Sequence, residues 1–92
     1  MNMQALEKRI VELIQKLTPL GEVDLSKIKE LVVKHGEYGI ALENLCSIIE
    51  ENKIAIDSND LQEILDLFRL MEFEDTSIAY YSKALKTISQ NP

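Results

Sequence analysis

His35-Gly36-Glu37-Tyr38-Gly39-Ile40-Ala41-Leu42-Glu43-Asn44-Leu45-Cys46 packs a helix stop, a turn and a helix start into one short run. Gly36 suits the left-handed residue that closes a helix ending at His35. Gly39 is expected to let the backbone bend before a new helix opens at Ile40. Two helices should therefore meet at a tight corner. Downstream, the apolar positions Ala41, Leu42, Leu45, Ile48 and Ile49 recur at helical spacing to about Asn52, while Glu43, Asn44, Ser47, Glu50 and Glu51 collect on the other side.

Working outward from this corner, the same periodicity gives helices on both flanks. Residues 3–18 place Leu6, Ile10, Leu13, Ile14 and Leu17 on one stripe, and Thr18-Pro19-Leu20-Gly21 reads as its end. Asp24 is placed to cap a second helix with Leu25, Ile28, Leu31 and Val32 inward. After the corner helix, Lys53 to Ile56 reads as an extended link that turns Ile54 and Ile56 the same way. Asp57 or Ser58 caps a fourth helix bearing Leu61, Ile64, Leu65, Phe68 and Met71, and Asp75 caps a fifth bearing Ile78, Tyr81, Leu85 and Ile88. Asn91-Pro92 is expected to fray. No strand-period segment is long enough for a sheet, and there is no internal repeat. The expected fold is an all-α, single-domain bundle of about five short helices spanning residues 1–92.

The stretch from His35 to Cys46 resembles the hallmark of MafI-type immunity proteins of bacterial polymorphic toxin and contact-dependent growth inhibition systems. The likeness is close over residues 35–46 and looser to about residue 72. It implies a small, non-enzymatic protein that neutralises the toxin domain encoded beside it. The toxins of such systems are often nucleases, EndoU-type RNases among them. From the motif itself, Glu37, Glu43 and Asn44 carry over as contact candidates, whereas Gly36, Gly39, Ala41, Leu42 and Leu45 have structural work.

Charge points the same way. The formal net charge of −6 is unevenly spread: residues 37–75 hold eleven acids against Lys53 and Arg69, while the flanking segments are slightly basic. So acidic a block repels phosphate, which argues against direct nucleic-acid binding and favours a basic protein partner. A well-solvated acidic surface would look the same. Besides the motif acids, the partner-binding candidates are Tyr38 at the corner, Ser47, Glu50 and Glu51 on the third helix, and Asp60, Glu63 and Asp66 on the fourth. At 100° per residue those last three point away from the fourth helix's core stripe, with Leu67 and Leu70 among them. That pattern fits either a helix buried on two sides or an interaction surface with an apolar centre.

Groups for catalysis are scarce. His35 and Cys46 are single copies, read as a helix-terminal residue and a small buried hydrophobe, and they complete no zinc site. Asp57-Ser58-Asn59-Asp60 fails as a calcium loop, since Gln62 stands where glycine is needed and Phe68 where glutamate is. It resembles the serine attachment site of an acyl carrier protein, but Asn59 stands where those proteins place leucine, and a doubled helix cap accounts for it. Neither an enzyme nor a cofactor or metal is expected. A helix-turn-helix at the corner is opposed by Glu43, Glu50 and Glu51 on its would-be recognition helix. A helical adaptor that takes an amphipathic peptide stays open beside the carrier reading. Met1 to Ile14 looks like neither a signal peptide nor an anchor, no spanning helix is present, and the expected location is the cytoplasm.

Overall fold

The computed structural model describes residues 2–21 and 24–89 and contains five helices. They are α1 (Met3–Gly21), α2 (Ser26–Val33), α3 (Tyr38–Asn52), α4 (Ser58–Leu70) and α5 (Asp75–Ser89). Asn91-Pro92 lies outside the described residues. The all-α expectation holds, with no strand among the described residues. The molecule is 18 Å thick in its thinnest direction, about two helix diameters. α3 is the centre: it packs on each of the other four helices, α2 most heavily, while α4 pairs with α5.

The inward stripes behave as their spacing requires. Ile10, Leu17, Val32, Ala41, Leu42, Leu45, Ile49, Ile64, Phe68 and Leu85 lose all solvent contact. Ile54 and Ile56 are buried on either side of exposed Ala55 as expected, but the link is not extended throughout: Lys53 is left-handed and Ile56 N–H donates to Ile54 O at 2.9 Å, closing a three-residue turn. Phe68 organises the α4–α5 contact. Its ring lies 4.7 Å from Tyr81 in a stacked arrangement and 4.7 Å from Phe73 in a tilted one.

Several boundaries differ from the sequence reading. α1 does not stop before Pro19 but carries it inside its last turn and runs to Gly21. Thr18, Pro19 and Leu20 are exposed there, where the one lost backbone bond is cheaply replaced by water. Asp24 accepts from the Ser26 amide at 2.9 Å, but the residue at the N-cap of α2 is buried Leu25. α2 ends at Val33, and Gly36 (φ 62) closes the turn by donating to Val32 O at 3.2 Å. α5 begins at Asp75 itself, so that carboxylate sits within the first turn.

Gly39 is the main correction. α3 starts at Tyr38, one residue before it, and Gly36 alone among the described glycines has positive φ. Gly39 is therefore helical and not a bend. A Cβ there would come within 3.3 Å of the Phe73 ring, so a side chain at this position requires that ring to give way by a few tenths of an ångström. Gly39→Val should cost about 1–3 kcal/mol by overpacking. A thermal midpoint within a degree of wild type would show that the Phe73 ring swings clear.

Two helix ends use residues with no turn signature. Lys53 (φ 49) closes α3, with Lys53 N–H to Glu50 O at 3.4 Å and Ile54 N–H to Ile49 O at 3.1 Å. Glu72 (φ 60) repeats the pattern after α4, with Glu72 N–H to Arg69 O at 3.0 Å and Phe73 N–H to Phe68 O at 3.1 Å. In each case a buried or half-buried side chain follows the left-handed residue and packs back on the core.

Candidate functional site

The ten candidate contact residues separate into two groups. On α4 the acids are turned toward α1. Asp60 was expected on the outer side, but it is 4% exposed and its carboxylate has two partners. Asp60 Oδ2 accepts from the Asp57 amide at 3.2 Å while Asp57 Oδ1 accepts from the Asp60 amide at 2.8 Å, a reciprocal cap at the start of α4. Lys16 Nζ adds an ion pair to Asp60 Oδ1 at 2.6 Å. This cap accounts for the Asp57-Ser58-Asn59-Asp60 run.

Glu63 is half-buried and forms a two-pronged pair with Arg9, whose Nε donates to Oε2 at 2.9 Å and Nη2 to Oε1. Asp66 is exposed, 3.9 Å from Arg9 and 3.4 Å from Arg69. Asp60 and Glu63 thus serve as the acidic half of a seam between α1 and α4. The α4 sequence shows their charge but not the basic side of α1 that meets them.

The seam has a pH signature. The hydrogen bond from Arg9 holds the Glu63 carboxyl below its ordinary value near 4.5. A carboxyl lowered on folding stabilises the native state above its unfolded value, and that contribution is lost as pH falls from there through the folded value. Glu63→Gln should therefore flatten the acid limb: between pH 7 and pH 3 its thermal midpoint should fall less than that of wild type. Equal falls would mean the pair adds nothing to the acid response.

The α3 group is placed differently. Glu37, Asn44, Ser47 and Glu51 are all exposed, and at steps of three, four and seven they share one stripe. Neither Glu37 nor Glu51 has an ion pair among the described residues. Glu50 is half-buried at the stripe's edge. Glu43 lies on the side facing α5, half-buried, and accepts from the Tyr81 hydroxyl at 3.1 Å. Burial and this bond push the Tyr81 hydroxyl up to about 12. Tyr38 is half-buried with its hydroxyl 3.4 Å from Glu7 on α1.

Sequence reading passed over Ile40, which lies on the same stripe between Glu37 and Asn44 and is 51% exposed. Its signal was available: an apolar residue breaks an otherwise polar stripe. Leu67 and Leu70 divide between the two possibilities open for them, since Leu67 is fully buried and Leu70 is 44% exposed.

The remaining reactive candidates lie apart, one buried and one exposed. Cys46 is fully buried, and burial, with Glu50 and Glu43 nearby, pushes its thiol up to about 12. His35 is exposed in the turn after α2. No group of three or more metal-ligating side chains occurs among the described residues, and none of their helices is long and apolar enough to cross a membrane.

The chain matches no protein-family model, and comparisons with curated proteins and with solved structures found no match.

Proposed function

We propose that this chain is an immunity protein of the MafI type, acting by binding alone. It holds the effector domain of a cognate bacterial toxin one to one and covers a basic surface that the toxin needs for substrate. The observation that carries this reading is the α3 stripe, where Glu37 and Glu51 stand exposed and without an ion pair among the described residues, while on α4 Asp60 and Glu63 are paired with Lys16 and Arg9 of α1. Unpaired exposed carboxylates on one helix face steer a basic partner into register. A nuclease presents such a surface, because it must hold phosphate. The resemblance over residues 35–46 supplies the toxin as the partner. Residues 35–37 form the turn before α3 and residues 38–46 its first turns, so Glu37 stands at the N-cap within the motif and Glu51 near the far end of the same helix.

Co-expression with the toxin domain encoded beside this chain tests the reading. A stable complex on co-purification and restored growth are expected. A toxin domain that neither binds nor loses toxicity in its presence overturns the assignment.

A further inference from the structure

The corner that joins α2 to α3 opens into a groove of about 500 Å³, within the roughly 300–1,000 Å³ range of built binding sites. Its apolar walls come from three parts of the chain: Met3 and Leu6 of α1, Tyr38 and Ile40 of α3, and Leu70 with Phe73 at the end of α4. Three of these, Met3 (58%), Ile40 and Leu70, are large apolar side chains left exposed together. Isolated exposed leucines are ordinary, but three converging on one concave surface mark a contact site.

The charge around the groove is one-sided. Among the described residues, Glu37 is the only charged one in its wall. Glu7 reaches the Tyr38 hydroxyl, Glu72 stands exposed between Met71 and Phe73, and Glu74 follows exposed. The nearby cations Lys34 and Arg69 are each beside a carboxylate of their own, Glu30 at 3.5 Å and Asp66 at 3.4 Å. Ile40 also joins the groove to the exposed stripe of α3, where Asn44 and Ser47 follow and Glu51 lies near the far end of the helix.

We infer that this groove receives an apolar anchor side chain from a segment of the partner, flanked there by Lys or Arg that meet Glu37 and Glu72. This rests on the immunity reading for the partner's identity, but the chemistry of the segment follows from the groove. The anchor supplies affinity on exclusion of water, and the flanking cations fix its direction.

The test uses two probes with the full chain. The first is a pair of helical peptides sharing a leucine face, one flanked by lysines and one by glutamates, titrated into isotope-labelled protein. The lysine peptide should shift the resonances of Met3, Ile40 and Leu70 and bind at least about tenfold tighter than the glutamate peptide. Equal binding of both, or shifts confined to another face, overturns the inference. The second probe is the toxin domain with Ile40→Glu/Leu70→Glu, whose thermal midpoint should be unchanged because both positions are exposed. Its affinity should drop at least ~30-fold. Undiminished affinity with no docking of the lysine peptide overturns the groove and leaves the immunity reading standing. Docking of the lysine peptide with no binding of the toxin domain by wild type does the reverse. Sedimentation of wild type as a dimer that the double variant converts to monomer would give the groove to a second copy and overturn the inference.

Discussion

Phe68→Ala is expected to bring the protein to the edge of unfolding at ordinary temperature. Phe68 is fully buried and joins α4 to α5 through Tyr81 and to the following link through Phe73. Removing a buried phenylalanine ring costs about 3–5 kcal/mol through lost transfer energy and the cavity left behind. The total stability of a domain this size is about 5–15 kcal/mol, so one substitution removes much of it. At ~4–8 °C per kcal/mol for a small domain, the thermal midpoint should fall by roughly 12–40 °C. Tyr80→Ala is the control. Tyr80 is largely exposed and touches Tyr81 only edge-on, with centroids 5.2 Å apart, so its loss should stay within about 0.5 kcal/mol. Equal effects from the two would show that the stack on Tyr81 is not what holds α5 in place.

The helices themselves were legible because each depends on a periodicity that any partner helix would satisfy. Leu42, Leu45 and Ile49 must face something, and spacing alone says they face it together. Features that depend on which helix lies opposite were not legible. Asp60 has the spacing of an outward residue on α4, and burial of its carboxylate is made tolerable by Lys16 of α1 together with the Asp57 amide. Leu67 is hidden for a related reason: α4 meets neighbours on more than one side, and Leu70, one turn later, escapes them. Gly39 was read as a bend because glycine signals a turn, whereas its actual constraint is a ring arriving from residue 73. Lys53 and Glu72 take left-handed conformations with no residue-type signal at all. In the candidate site, the exposure of Glu37, Asn44, Ser47 and Glu51 followed from helical spacing, but that neither acid has an ion pair among the described residues needed the tertiary fold.

That distinction decides which acids should govern association. Reversing Glu37 and Glu51 together, by Glu37→Lys/Glu51→Lys, moves the formal net charge from −6 to −2 and removes no ion pair among the described residues. Exposed unpaired acids contribute little to folding, so the thermal midpoint should stay close to wild type. Association with a basic toxin domain should slow by at least ~10-fold at low salt, because steering by complementary charge acts on the encounter rate. The wild-type rate should fall steeply as salt rises while that of the variant stays nearly flat, and the two should converge at about 1 M salt, where screening reaches ~3 Å. Asp60→Lys is the contrast: it places a cation against Lys16 in a buried cap, so it should lose stability first and association only as a consequence of unfolding. If the double reversal keeps the wild-type rate and salt slope while remaining folded, the α3 stripe is a solvated face. Binding would then rest on apolar contacts, with Ile40 and Leu70 the first to change.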